Sequence, residues 1–421
     1  MLGAGDRNAR ETAENVARRS YGKLVAFLAR RTGDVARAED ALSEAFAAAL
    51  SDWSASGIPA NPEGWLMAVA KRKIIDMMRR RKTGEDTIPQ LQLMAEEIEA
   101  AAQESPEIPD NRLALMFACA HPAIDAAIRA PLILQTLLGL DAAAIASAFL
   151  VSPAAMGQRL ARAKHKIREA GIALRVPARA DLPERLDAVL AAIYAAFARG
   201  WSESAERETG SGNLAEEAIW LGRLVASLLP GEPEALGLLA LMLHSDARRA
   251  ARRGPEGEYI PLAEQDPALW DSDFIDEAES LLVRASRIGA SGRYQLEAAV
   301  QSAHAVRRIA GTSDWQAIEK IYDALAALSD SPVISINRAV AIAESRGADA
   351  GLEELDRLAD DRRLAQYQPY WAACAHILTR AGKIRAAEEA YEQAIGLEHD
   401  PAVREFLQRR QAALRDSRCP S

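Results

Sequence analysis

Apolar residues in this chain return at three- and four-residue spacing almost from end to end. Leu24, Phe27 and Leu28 do so near the start, and Leu186, Val189, Leu190, Ile193 and Phe197 do so further on. That spacing puts them on one face of a helix. No run alternates with period two for long enough to form a sheet, so the expected fold class is all-α. Of the 421 residues 49% are hydrophobic and only 5% aromatic, so the core must be built mostly from Ala and Leu. The composition excludes a collagen, a mainly disordered chain and a disulfide-framed secreted domain.

Proline and glycine interrupt the helical pattern at residues 57–62, 83–109 and 176–183. Both residues disfavour helix continuation. The expected organisation is therefore 1–85, a linker over 86–110, 111–178, and a helical body over 179–421. Charge follows the same divisions. Residues 1–90 carry 15 Lys/Arg against 12 Asp/Glu, residues 91–110 none against six, and residues 111–180 nine against three. The remainder carries 27 against 39, a net charge of −12. Two basic blocks divided by an acidic connector point to nucleic-acid contact within the first 180 residues.

Three segments are candidates for function. In the first, from Asp34, Leu42, Phe46 and Leu50 read as a buried stripe, with Glu39, Asp40 and Glu44 on an exposed acidic face that suits a basic protein partner. Ordinary solvated charges would give the same pattern. The second, Trp65 to Lys82, has seven positive charges in twelve residues: Lys71, Arg72, Lys73, Arg79, Arg80, Arg81 and Lys82, against Asp76 alone. Trp65, Val69, Ile74, Ile75 and Met78 read as its inward side. A basic helix behind a Pro/Gly loop can hold phosphates while the loop receives an unstacked base, although a merely basic surface looks the same.

The third is the most specific. A short helix capped by Asp141 is followed by a tight turn and a second helix, for which Ser152 is a good N-cap and Pro153 a good first residue. Met156, Leu160, Ala163 and Ile167 face one way, and Gln158, Arg159, Arg162 and Lys166 another. A helix-turn-helix presents its recognition helix to the major groove in this way; a structural αα-hairpin is the alternative.

No HExxH, P-loop or GxGxxG stands in the sequence, so no enzyme and no cofactor is expected. Cys119-Ala-His121 and Cys374-Ala-His376 are duplicates, but residues two apart on a helix point nearly opposite ways, so no metal site is expected. Three cysteines without CxxC spacing fit a reducing compartment. No apolar run nears the ~20 residues of a membrane span, and the N-terminus has no signal-peptide core. A cytoplasmic protein is expected. Around Trp371, residues Ala375, Leu378, Gly382, Ala387, Tyr391 and Ala394 resemble a tetratricopeptide (TPR) repeat, and Gly347 lies 35 residues before Gly382.

In this order the three segments resemble a bacterial sigma factor of the extracytoplasmic-function (ECF) class. Asp34–Leu50 is similar to the start of sigma region 2, which docks on the β′ clamp helices of core RNA polymerase. Trp65–Arg81 is similar to the part that melts and reads the −10 element. Residues 111–171 are similar to region 4, which reads the −35 element and meets the β flap. Pro183-Glu-Arg-Leu-Asp-Ala-Val-Leu, the run from Gly237 to Arg249, and Gln265-Asp-Pro-Ala-Leu-Trp270-Asp resemble the C-terminal extension of the TPR-bearing group. Phe197-Ala-Arg-Gly200-Trp201 departs from that group, which has Asn-Glu before Gly and Tyr.

The resemblance implies polymerase contacts at Asp34, Glu39, Asp40 and Glu44. It implies −10 contacts at Trp65, Lys71, Arg72, Lys73, Asp76, Arg79 and Arg80, with a flipped base in the 57–64 loop. It implies −35 contacts at Ser152, Ala154, Ala155, Gln158, Arg159 and Arg162. The polymerase would perform the catalysis. The acidic body would either fold back over the basic faces or hold a productive conformation, and its TPR-like groove would take a protein, a peptide or nothing. A free-standing DNA-binding regulator is the alternative, and it would leave the acidic helix and the Trp65–Lys82 segment unexplained.

Overall fold

A computed structural model describes residues 4–32, 35–81, 110–169, 177–203 and 212–416. Asp34 and residues 86–109 of the expected acidic linker lie outside the described residues. Every regular element among the described residues is helical, and one isolated antiparallel bridge joins Arg253 to Tyr259. The fold class is all-α, as the periodicity requires. The chain divides into two compact units, Met1–Ala196 and Phe197–Ser421.

The first unit begins with three long helices, α1 (Ala4–Thr32), α2 (Val35–Ser56) and α3 (Pro62–Arg81). α2 buries Ala38, Ala41, Leu42, Ala45, Ala49 and Trp53, a series stepping by three and four. The small alanines let α1 and α2 approach closely. The four-residue stripe expected on α2 is only partly buried: Leu42 is fully enclosed, Phe46 is half-buried, and Leu50 is 45% exposed. Each step of four turns the helix about 40° past a full circle, so two steps carry Leu50 off the core face. On α3 the buried residues are Leu66, Ala70 and Ile74, whereas Ile75 is 48% exposed. Adjacent residues point about 100° apart, so Ile74 and Ile75 cannot both face inward.

Four shorter helices follow: α4 (Asn111–Cys119), α5 (Ala126–Leu138), α6 (Ala142–Ala148) and α7 (Pro153–Glu169). Asp110, Asp125 and Asp141 cap the first three through their side chains. α4 and α5 pack against α1, so the helices after the connecting segment are built onto those before it. Gly22 makes that crossing feasible, because a Cβ there would collide with the carbonyl oxygen of Leu137. Leu113, Met116, Phe117, Ile133 and Leu134 are among the largest fully buried side chains. Each such side chain stabilises the fold by about 1.5–3 kcal/mol relative to exposure.

Helix α8 (Leu182–Glu203) runs through the boundary between the units. Its first half belongs to the first unit, where Arg185 Nη1 donates to the Phe117 carbonyl at 3.1 Å. In the second unit α9 (Gly212–Leu228) leads to α10 (Pro233–Asp246), whose residues from Ala235 to His244 are all buried. α10 is the central rod, flanked by α9, α11 (Ser272–Ile288) and α12 (Arg293–Ala305). Short 3₁₀ turns and loops fill the long connection from α10 to α11.

Beyond α12 and the one-turn α13 (Arg307–Ala310), the chain forms successive helical hairpins. These use α14 (Trp315–Leu328), α15 (Pro332–Arg346), α16 (Ala348–Asp356), α17 (Gln368–Arg380), α18 (Ile384–Leu397) and α19 (Pro401–Asp416). Gly347 and Gly382 hold left-handed φ values of 107° and 68° at the α15–α16 and α17–α18 turns. Ala375, Ala387, Tyr391 and Ala394, the residues that carry the repeat pattern, are buried in one cluster with Ala339, Leu352 and Leu407.

Candidate nucleic-acid interface

The acidic residues of α2 are not all free. Asp40 and Glu44 are exposed, but the Glu39 side chain is only 12% accessible and forms an ion pair with Lys164 of α7 at 3.0 Å. The expectation that Glu39 lies on an open acidic face is therefore corrected. Glu39 precedes Leu42 by three residues and shares its inward side, so it needs a counter-ion. Glu44 in turn pairs with Lys73 of α3 at 3.0 Å, both at solvent-exposed positions.

α3 starts from the 57–64 loop, whose Asn61 Oδ1 accepts from Gly64 N at 2.9 Å. Trp65 is half-buried and meets buried Trp53 edge-on, with ring centroids 5.5 Å apart. The Trp53 indole N–H has no hydrogen-bond partner. Lys71 Nζ lies 5.2 Å from the Phe27 ring centroid. Arg72 and Asp76 are exposed, and Arg79 and Arg80 belong to the last turn of α3.

Helices α6 and α7 are joined by a tight turn. Asp141 Oδ1 accepts from Ala144 N at 2.7 Å to start α6. Val151 N donates to the Ala146 carbonyl at 3.1 Å, and Leu150 adopts a left-handed φ of 51° to reverse the chain. Ser152 Oγ accepts from Ala155 N at 3.3 Å, capping α7. Met156, Leu160 and Ile167 are buried beside Ile145 and Ala146. Ser152, Ala154, Gln158, Arg159, Arg162 and Lys166 are exposed, and Ala155 is half-buried. This face carries positive charge and amide groups, the chemistry that phosphates and base edges accept.

Residues 16–83 match the model of the sigma-70 region 2 family, which takes in α2, α3 and most of α1. The chain carries region 2 of a sigma-70 factor. A sigma factor with region 2 binds core RNA polymerase and promoter DNA, and members of this family start transcription without being enzymes. Residues 185–286 of this sigma factor match a family of unknown function, DUF6596. An uncharacterized protein of Rhizobium meliloti (strain 1021) is 37% identical over 365 residues, 86% of each chain, so the two are members of one family. No solved structure matches the chain.

Within this sigma factor two structural residues were missed from sequence. Lys164 lies between Leu160 and Ile167 at helical spacing, which marks it as a cation on the apolar face of α7 that needs an acid. Gly22 gives no such signal, because its partner is a main-chain oxygen 115 residues away. The Cys119 thiol is fully buried, and burial pushes its pKa up, which makes it unreactive. His121 Nδ1 accepts from Ala123 N at 3.1 Å. Among the described residues no three His, Cys, Asp or Glu side chains converge as metal ligands, and no helix is long and apolar enough to cross a membrane.

Proposed function

We propose that this chain is an alternative sigma factor of the extracytoplasmic-function class, with two promoter-reading surfaces and a C-terminal TPR-like regulatory extension. The observation that carries the reading is the region 2 match over α1–α3, followed in the same compact unit by a capped helix pair with a basic exposed face. Asp34, Asp40 and Glu44, joined by Glu39 once released from Lys164, dock on the polymerase clamp. Trp65, Lys71, Arg72, Lys73, Asp76, Arg79 and Arg80 engage the −10 element. Ser152, Ala154, Ala155, Gln158, Arg159 and Arg162 engage the −35 element. The domain scheme is 1–85 and 111–178 for promoter reading, 86–110 as connector and 179–421 as control.

The unit as it stands is a closed state on this reading. Elements centred about 25 base pairs apart lie ~85 Å apart along the duplex at about 3.4 Å per base pair. Helices α3 and α7, 20 and 17 residues long, measure only about 30 and 25 Å. The Glu39–Lys164 contact also holds α2 against α7. The two reading surfaces therefore separate before they occupy one promoter. The 28 residues from 82 to 109 can bridge at most about 90–100 Å, enough for that separation.

Multi-round transcription on fragmented genomic DNA, with purified core RNA polymerase and the full chain, tests the reading. Discrete transcripts sharing −35 and −10 sequences are expected. Loss of transcription from both the full chain and residues 1–178, with no binding to core polymerase, would overturn it. Comparing the full chain with residues 1–178 also gives the sign of control by the extension.

A further inference from the structure

The helices of the second unit pack largely in chain order: α10 with α12, α12 with α14, α14 with α15, α15 with α16 and α17, α17 with α18, and α18 with α19. An array of this kind is held by contacts between neighbours, so its two ends are free to move independently. One segment departs from that order. Within the connection from α10 to α11, Arg253 forms an ion pair with Asp400, and Glu264 forms one with Arg410 of α19. These contacts span 147 and 146 residues of sequence. Between them the Tyr259 and Phe406 rings meet edge-on, with centroids 5.4 Å apart. Arg253 lies 6.0 Å from the Tyr259 centroid and Arg410 lies 5.2 Å from that of Phe406, so rings and charges form one row.

The base of this segment is anchored without help from α19. Ile260 N donates to the Arg252 carbonyl and Gly254 N to the Glu258 carbonyl, each at 2.9 Å, which folds residues 252–260 into a short hairpin. Arg307 of α13 then holds the carbonyls of Leu262 and Gln265, each at 2.5 Å. Arg252, next to Arg253 in sequence, turns to a different partner. Its Nη1 donates to the Trp201 carbonyl at 3.0 Å, and its guanidinium lies 3.5 Å from the centroid of the Trp201 ring. Trp201 stands in the last turn of α8, the helix that continues from the first unit into the second. Adjacent residues of one hairpin thus hold the last helix of the chain and the end of α8.

The two attachments of α19 differ in kind. Leu407 and Leu414 bury it in the apolar cluster of the last hairpin, and Gln411 Nε2 donates to the Glu388 carbonyl at 3.3 Å. Toward residues 253–264 it has two ion pairs and one ring pair, and the Glu264 and Arg410 side chains are 52% and 51% accessible. Exposed ion pairs contribute little and weaken as salt rises. The second attachment therefore releases first, with neither element unfolding. We propose that residues 252–264 form a latch, which closes the array onto α19 and whose release loosens the end of α8 through Arg252 and Trp201. The second unit then has a latched and an unlatched state. The chain passes between the two units through α8 alone, so the latch acts at the point where the extension is tethered to the first unit.

Amide hydrogen exchange of the full chain, read by mass spectrometry, tests the latch. Arg410→Glu sets like charges opposite one another at Glu264. Exchange should then rise about two- to fivefold in residues 252–264, in α19 and in the last turn of α8, with α15 and α16 unchanged. Combining Arg410→Glu with Glu264→Arg restores the pair in reverse and should return all three sites to their original rates. Arg385→Gln, which removes an exposed pair with Glu389 on α18, should alter none of them. In the unmodified chain, raising salt from about 50 mM to about 500 mM should give the same three-site pattern, and this arm stands should a variant not fold. A rise confined to α19, a rise spread evenly over the second unit, no change at the three sites, or no rescue by the reversed pair would overturn the proposal.

Discussion

Lys164 Nζ lies 3.0 Å from Glu39 Oε2, joining α7 to α2 across 125 residues of sequence. The lysine side chain is 30% accessible and the glutamate 12%. Partial burial strengthens such a pair relative to one in open water, where it would be worth about 0–1 kcal/mol. Lys164→Ala should leave Glu39 unpaired and favour the open state. We expect core polymerase to bind that variant several-fold more tightly, measured by competition with a labelled sigma factor. Unchanged affinity would mean that the pair does not restrain docking.

Gly22 gives a second handle on the same packing. Its replacement by Ala forces α1 and α5 apart, because the new Cβ meets the Leu137 carbonyl oxygen and not a movable side chain. Overpacking of this kind costs about 1–3 kcal/mol. A lower denaturation midpoint, together with a larger radius of gyration by small-angle scattering, is the expected result.

The exposed face of α7 divides into a cap and a basic surface. Ser152→Ala removes the Oγ that accepts from Ala155 N and should destabilise the first unit by about 1 kcal/mol. Arg159→Ala and Arg162→Ala leave the core untouched, since both are exposed. Each should instead lower transcription by about 1–3 kcal/mol of binding if it reads a base. Promoters with a scrambled −35 element should lose this sensitivity.

On α3, Arg72→Ala should slow open-complex formation on duplex promoter DNA. On a template already unpaired across the −10 region the defect should shrink, since melting is no longer required. Abortive transcription on the two templates measures the difference.

His244 sets an acid limit on the second unit. Burial, then Arg248 and Arg308, hold its pKa down to about 4. Glu279 Oε1 sits 3.5 Å from His244 Nε2 without forming a hydrogen bond, and it already accepts from Ser302 Oγ at 2.6 Å. The unfolded histidine titrates near 6.5, so below that pH the unfolded chain binds the proton first. Stability is therefore complete above about pH 6.5 and falls as pH drops toward 4, by at most about 3 kcal/mol from this group. Urea melts across that range should show the loss, and His244→Gln should remove only this group's share of it, since burial holds His304 down to about 4 as well.

The helical class was legible because three- and four-residue spacing runs the length of the chain. The α6–α7 pair was legible for a local reason: Asp141, Ser152 and the apolar series Met156, Leu160 and Ile167 all lie within one short stretch. Errors arose where a four-residue stripe was followed too far, at Leu50, or where neighbours were assigned to one side, at Ile74 and Ile75. The α1–α5 crossing was not legible, since Gly22 meets a carbonyl oxygen that any residue at 137 would supply.

The segment between α3 and α4 has a kinetic consequence. It keeps the two halves of the first unit in one molecule, so reclosing after separation is unimolecular and does not slow on dilution. Docking on polymerase, by contrast, is bimolecular and does. A tethered partner acts at an effective concentration that cellular protein levels seldom match. On the proposed reading the open form would last only while polymerase or promoter holds it, and release would return the first unit to its closed state.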